Sequence, residues 1–521
     1  MIEALIPLLV VVPILAAVIP LVAGLWYENV GWSIAAVTAT VLFGLAAWIA
    51  RSVFAGGRIV HELGGFSRPI GIELVADELS AMLVLLNAAV VLGVLAFART
   101  AGPRGNAFYS GYLLLAGGVM GVALTGDVFN LFVFLEVTSL TTYALVASDR
   151  SGASAYASLK YLIVGTVGAS LYLIGVGYAF LATGTLNMID LRQQLAAVGY
   201  GDPLVQAAFG FVVAGFLIKM AVFPVHVWQP DAYQRAPDTV TTYISALVST
   251  GAAYALIRVT YGVFTVEFLR ANEAFTTAML VVAGTSIVAG STLAVTQTDL
   301  KRVFAYSSVA QFGMIAAAVA IGNRTALLGA MIHLVGHGLL KGGLFLGAGL
   351  LRQTYDVRTV DDLAGLARTA PYTAGGISVL GLALVGVPPS VGFVGKWYMA
   401  LGAVEAEAWG IATVIFLSTL LSLLYVGRIV EQLYFGEAST DAAATEPEPA
   451  PASSASDQRP ASDGGVRAPA GDASIAEMAS PRVPRAGLAV LVLAVVAAVA
   501  LGFAGVAFAD VLDPVLGRFF A

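Results

Sequence analysis

Fourteen stretches of roughly 20 predominantly apolar residues, divided by polar or Gly/Pro punctuation, run through this chain. They lie near 3–24, 30–51, 77–98, 108–126, 128–147, 158–182, 203–224, 238–264, 275–296, 303–321, 325–351, 372–400, 408–434 and 486–509. A segment lying in hydrocarbon must satisfy its own backbone hydrogen bonds, so each stretch is expected to cross a bilayer as a helix. Only 11% of the 521 residues are charged, against about 25% in a soluble domain. The expected fold is all-α and polytopic, with about 14 transmembrane helices. The first stretch lacks a basic leader and a small-residue cleavage site, which predicts that it stays in the mature protein.

The chain contains no Cys. Disulfides, Cys-ligated zinc and iron–sulfur clusters are therefore excluded, no cofactor is expected, and any electron transfer must occur in other subunits. The net charge is −6, and residues 437–485 alone contribute eight acids and four bases. That distribution gives no footprint for nucleic acid, and the expected surroundings are the lipid bilayer. The same 437–485 stretch holds seven of the 20 Pro and no aromatic residue, so it cannot build a core and is predicted to be a disordered loop. Fourteen Lys and Arg flank or fill the loops after odd-numbered stretches and seven those after even-numbered ones. By the positive-inside rule, both termini are expected outside the cell (plasma) membrane, with the 437–485 loop in the cytoplasm.

Lysine placement points to chemistry. Of only five Lys, three (Lys219, Lys341 and Lys396) fall inside spans, whereas of 21 Arg only Arg258 and Arg428 do, each near a helix end. Lys can surrender its proton when desolvated and Arg effectively cannot. Ionisable groups at membrane depth are costly and usually functional, so this bias suggests proton movement. The fifth span places Glu136 near mid-membrane in GDVFNLFVFLEV, and Lys219 in FLIKMAVFPVHVW on the seventh is its natural partner. Pro224 and Pro230 flank His226 just beyond, predicting a broken helix whose freed carbonyls lie beside the Lys.

On the eleventh span, HLVGHGLLKGGLF sets His333, His337 and Lys341 on one face, a row of about 12 Å suited to a proton relay through intervening waters. Zinc at the two His would lack a third ligand between them, unlike an HExxH site. The twelfth span repeats the broken-helix pattern, with Pro388 and Pro389 about two turns before Lys396. Two five-helix inverted repeats with broken helices 7 and 12 are the expected architecture. The domains are then 1–107 (three helices), 108–264 and 275–434 (the two halves), 437–485 (the loop) and 486–521 (the last helix). Near the start of the second half only Ser307 and Gln311 stand where the first has Glu136.

GDVFNLFVFLEV, FPVHVWQPDAYQRAP, DLKRVFAYSSVAQFG, HLVGHGLLKGGLF and GVPPSVGFVGKW occur in this order, and with them the chain resembles the antiporter-like subunits shared by complex I, membrane-bound hydrogenases and Mrp-type cation/proton antiporters. FNLFVFLEV and the Lys of GFVGKW look most like the D-type subunit of Mrp antiporters. The resemblance implies that Glu136 and Lys219 form a coupled pair in the first half, His333, His337 and Lys341 the central hydrated relay, and Lys396 the second-half Lys near an exit. It also implies other membrane-antiporter subunits as partners, and protons and monovalent cations, Na⁺ foremost, as cargo through a cation site that the sequence does not locate. No structural metal is implied. Two positions depart from the family pattern: Thr250 stands where a Lys or His is common, and Tyr233 where a His is usual. The alternative is a proton-pumping arm of a complex I-like or hydrogenase-like redox enzyme using the same residues. A third possibility, a non-conducting scaffold, would leave the cost of the buried charges without a return.

Overall fold

The computed structural model of the protein describes residues 2–437 and 483–521. The expected 437–485 loop falls almost wholly outside the described residues. In chain order the helices are α1 (Ile6–Ala23), α2 (Gly31–Gly56), α3 (Glu78–Ala101), α4 (Asn106–Leu124), α5 (Val128–Val146), α6 (Gly152–Thr183), α7 (Met188–Val198), α8 (Pro203–Lys219), α9 (Trp228–Arg235) and α10 (Asp238–Val259). There follow α11 (Thr265–Ala271), α12 (Glu273–Thr296), α13 (Leu300–Ile321), α14 (Arg324–Tyr355), α15 (Pro371–Val385), α16 (Val391–Glu405), α17 (Trp409–Phe435), α18 (Arg485–Phe503) and α19 (Gly505–Phe519). A single π-helical turn, Thr260–Phe264, joins α10 to α11.

Twelve helices among the described residues are long and apolar enough to cross a membrane. Two shorter apolar helices, α8 and α15, occupy the seventh and twelfth places, where broken spans are expected. Together they account for the fourteen stretches, and the chain is a multi-pass membrane protein. The helices α10, α13 and α14 are buried almost all round, whereas α17 and α18 keep broad exposed apolar faces. Helices apolar all round belong at the centre of a bundle, and the others can face lipid.

Five spans separate matching elements of the two halves, an odd number, so the halves run in opposite directions. Helices α6 and α14 are both 32 residues long. Asp127 caps α5 by accepting from the Asn130 amide, and Asp299 caps α13 by accepting from the Arg302 amide. Each cap also forms an isolated antiparallel bridge to the segment after the long helix, Asp127 with Asn187 and Asp299 with Thr359. Both residues of the bridge advance by 172 positions between halves, 127 to 299 and 187 to 359. Applying the same shift to Glu136 reaches Ser308, whose hydroxyl turns back to the Phe304 carbonyl. The halves share a backbone but not their charges.

Close packing of the central helices depends on small residues. A Cβ at Gly338 of α14 would lie 2.7 Å from the Ala246 carbonyl oxygen of α10, and one at Gly395 of α16 would lie 2.7 Å from the His333 Cβ.

Three features differ from the sequence expectation. Residues 59–62 and 73–76 pair as an antiparallel two-stranded hairpin outside the spans, in register Ile59 to Ala76. The last stretch is not one helix through Ala509, because α18 ends at Phe503 and α19 begins at Gly505 as a separate helix. Pro230 does not help to break the seventh helix: it lies in the first turn of α9, where its missing N–H has no helical partner to lose. The break falls between Lys219 and Trp228, around Pro224.

Candidate functional site

Helix α8 ends at Lys219, and the next residues turn through Ala221 at φ 57° before α9 begins. Ending a helix inside the bundle exposes carbonyls that need donors. Here neutral groups supply them: Trp228 Nε1 donates to the Ile218 carbonyl at 3.0 Å and Ser249 Oγ to the Lys219 carbonyl at 3.4 Å. The Trp228 ring stacks on Tyr161 at 3.8 Å, fixing the start of α9 against α6. The Lys219 ammonium is thereby left for side chains. It donates to Glu136 Oε1 at 3.0 Å and to Ser139 Oγ at 2.8 Å, so the pairing expected from sequence is present. The Lys219 side chain is 7% exposed and that of Glu136 22%, which places the carboxylate on the better-solvated side of the pair. A cavity of about 10 Å³, the room of about one water, abuts Lys219 between Thr138, Tyr143, Tyr161 and Trp228.

The second broken helix divides its donors differently. Lys396 sits on α16, past the break, whereas Lys219 closes the half-helix before it. The two Lys are therefore not equivalent positions of the repeat, a correction to the matched placement that the prolines suggest. Lys396 Nζ donates to the Leu384 and Val385 carbonyls at 2.8 and 3.0 Å, capping the end of α15 with its own charge. A cation at a helix C-terminus meets the negative end of the helix dipole. No carboxylate pairs with Lys396 among the described residues.

His333, His337 and Lys341 all lie fully buried on α14. His333 Nε2 and Gln311 Oε1 are 2.9 Å apart, and Lys341 donates to the Phe304 carbonyl at 2.8 Å and, more closely, to Ser307 Oγ. Ser307 and Gln311, the sparse polar residues of the second half, are thus the direct partners of the row. The two His rings are 6.4 Å apart, and neither ring nitrogen of His337 has a partner among the described residues. Thr250 Oγ1, Gln229 Oε1 and Gln311 Nε2 are buried without partners as well. Buried polar atoms of this kind are normally met by ordered water, because leaving them bare costs about 1–3 kcal/mol each. Gln229 Nε2 reaches both Ser249 Oγ (3.2 Å) and Tyr233 Oη (3.3 Å), so the departing residue Tyr233 remains tied to the polar core.

Sequence reasoning missed a second polar layer at the face that carries the loops after odd-numbered spans. Asp231 of α9 takes Lys160 of α6 at 2.7 Å and Arg302 of α13 at 2.9 Å. Asp238 at the start of α10 takes Lys301 of α13 at 3.1 Å and Arg352 of α14 at 3.3 Å. Each carboxylate binds cations on two elements and ties the halves together. These groups read in sequence as ordinary loop charges; the one available signal is an acidic residue directly after Pro237, at the mouth of an apolar span. The opposite face is pinned by Asp77, which receives a bidentate pair from Arg258 at 2.6 and 2.7 Å, and by Arg518 against Glu78. Burial alone would raise the carboxyl of Asp77, but the Arg258 charge and hydrogen bonds outweigh it and hold it well below the usual carboxylate range.

The comparisons with known proteins agree with this architecture. Residues 125–422 match the family described as NADH:quinone oxidoreductase/Mrp antiporter, TM. NADH-quinone oxidoreductase subunit N of Desulforudis audaxviator (strain MP104C) is 41% identical over 410 residues, 78% of this chain and 81% of the relative. The D-type subunit of the Na(+)/H(+) antiporter of Bacillus subtilis (strain 168) is 31% identical over 393 residues, 75% of this chain and 78% of the relative. A solved structure of the Mrp complex from Dietzia sp. DQ12-45-1b contains a chain that superposes with a TM-score of 0.82 at 27% identity, covering 100% of this chain and 99% of that one. With more than half of its length inside the family match and its broken-helix repeats in place, the chain belongs to the NADH:quinone oxidoreductase/Mrp antiporter membrane-subunit family.

Proposed function

We propose that the protein is the D-type membrane subunit of an Mrp-type antiporter complex, which exchanges internal Na⁺ for external H⁺ at the plasma membrane, with both termini outside. The observation that carries this reading is the Lys219–Glu136 pair at 3.0 Å, held where a helix is interrupted inside the bundle. A carboxylate beside a Lys sets how readily that Lys gives up its proton, and neutral donors already occupy the freed carbonyls, so the ammonium can change state without unravelling the break. In this account a proton taken by Lys219 passes through waters at the bare polar atoms of Gln229, Thr250 and His337. It continues along the row of His333, His337 and Lys341 and leaves by Lys396. The two five-helix halves, 108–264 and 275–434, each supply one half-route. The likeness to the D-type subunit of a Na(+)/H(+) antiporter and to a chain of an Mrp complex supports the choice of Na⁺ as the exchanged cation.

A second reading is a proton-pumping subunit of a redox complex, favoured by the 41% identity to an NADH-quinone oxidoreductase subunit N. The two readings use the same residues and differ in what drives them. Inverted vesicles containing the assembled complex separate them: exchange started by Na⁺ alone supports the antiporter, and proton movement that starts only on addition of a reductant supports the pump.

A further inference from the structure

Lys301 and Asp238 have no part in the path above, yet they form a buried cluster with an unusual charge count. Both side chains are 9% exposed, and Lys301 Nζ donates to Asp238 Oδ1 at 3.1 Å and to the Ala236 carbonyl at 2.9 Å. Arg352 Nη1 lies 3.3 Å from the same Asp238 oxygen. Two cations therefore share one carboxylate. Arg352 cannot release a proton, so the group that can change state is Lys301. When it does, Asp238 keeps Arg352 as its counter-ion and is not left bare. The Lys219–Glu136 pair has no such spare cation among the described residues.

Solvent and relay lie on opposite sides of this cluster. Toward the membrane surface, a cavity of about 70 Å³ is lined by Lys301, Arg352 and Asp299, with the exposed Arg235 and Arg358 at its rim. It is large enough for several waters. Toward the core, Lys341 is bonded to the Phe304 carbonyl and to Ser307 Oγ on the same helix as Lys301, within about 9 Å of helix rise. Between them, Phe345 meets Phe304 at 5.7 Å and Tyr233 at 5.5 Å, edge to face. These rings make the surroundings of Lys341 on the cavity side largely apolar.

We propose that Lys301, held by Asp238 and backed by Arg352, is the proton port between Lys341 and the face bearing the odd-numbered loops. In exchange driven by external H⁺, the ammonium of Lys341 gives its proton through intervening water to the neutral amine of Lys301, which then releases it to water in the cavity; in a redox pump the same two transfers run in reverse. This rests on the reading of the chain as a proton-translocating subunit, though not on which drive it uses.

The test separates a port from a tie between halves. Lys301→Arg keeps the charge and can still hold Asp238 but cannot release a proton. In inverted vesicles carrying the complete complex, proton movement is recorded with a pH-sensitive dye after adding Na⁺ and, separately, after adding NADH. A wild-type response to Na⁺ keeps the antiporter reading, and a response to NADH alone replaces it with the redox pump; the port is scored under whichever drive works. Lys301→Arg is expected to lower the rate about tenfold or more with assembly intact, as removal of a proton-transfer group does. A wild-type rate in Lys301→Arg overturns the port. If that variant does not assemble, Lys301→His decides: a port predicts a pH profile displaced to lower pH, and an unmoved profile overturns it. Asp238→Glu, which keeps the carboxylate beside Lys301, Arg352 and Asp299, is expected to retain most of the rate, whereas Asp238→Asn is not.

Discussion

Lys219 donates to Glu136 and to Ser139 at the point where α8 stops, while Lys396 donates only to the backbone carbonyls at the end of α15. The same helix interruption thus yields a carboxylate-paired Lys in one half and a carbonyl-capping Lys in the other. In the proposed route this asymmetry gives the two halves different chemistry. Loss of a proton from Lys219 leaves a charge on Glu136, whereas loss from Lys396 leaves only dipoles.

From this follows a difference between charge-conserving variants. Lys219→Arg can preserve the ion pair but not proton release, so transport is expected to fall by about a hundredfold or more while assembly persists. Initial rates of proton movement in vesicles, with subunit content measured by blotting, check this. Near-normal rates would show that Lys219 is only a structural partner of Glu136.

Thr250 tests the proposed hydrated stretch between the halves. Thr250→Val keeps the shape and removes a buried hydroxyl that has no protein partner. Stability is expected to hold or rise slightly, since an unmet polar atom is lost. Transport should fall several-fold if a water there carries protons, and Thr250→Ser should restore it. Rates and melting temperature measured on the same preparation separate the two effects.

Packing predictions are independent of transport. Gly338→Ala drives a Cβ to 2.7 Å from the Ala246 carbonyl, and backbone in a packed helix pair cannot yield cheaply. A destabilisation of about 1–3 kcal/mol is expected. Gly177→Ala, where nothing lies within 4 Å, is the matched control and should leave the melting temperature unchanged or slightly raised. Thermal unfolding in detergent reads both.

Asp77 gives a stability–pH prediction of definite sign. Its folded-state carboxyl is held well below the ordinary range by Arg258, so its contribution is full above the unfolded value of about 4 and is lost as the pH falls toward the folded value. Asp77→Asn should cost about 3 kcal/mol or more at pH 7, because it leaves Arg258 unpaired in a buried site. The gap between wild type and variant should narrow as the pH is lowered from 5 to 3. A gap constant over that range would contradict the assignment.

Much of this architecture is legible in the sequence because a bilayer enforces it. Apolar runs of span length have one way to satisfy their backbone, and Pro224 and Pro388–Pro389 mark the interruptions. Glu136 and Lys219 could be paired in advance because charges at membrane depth need partners. The short hairpin strands Ile59–Glu62 and Glu73–Ala76 could not, since four-residue strands carry no readable period. The break at Ala504 has no proline or charge to announce it. Asp231, Asp238 and Lys301 were opaque for another reason: at span ends, charge reads as solvated loop, and only the tertiary arrangement reveals that Asp238 and Lys301 are buried and shared between halves.

The central claim is that Glu136 and Lys219 move protons against a cation. The direct measurement uses inverted vesicles with the complete complex in an antiporter-deficient host, an imposed proton gradient and a pH-sensitive dye. Addition of Na⁺ without redox substrate is predicted to collapse the gradient in wild type and not in Glu136→Ala. Full Na⁺-dependent collapse in Glu136→Ala, with the complex shown to be assembled, would contradict it.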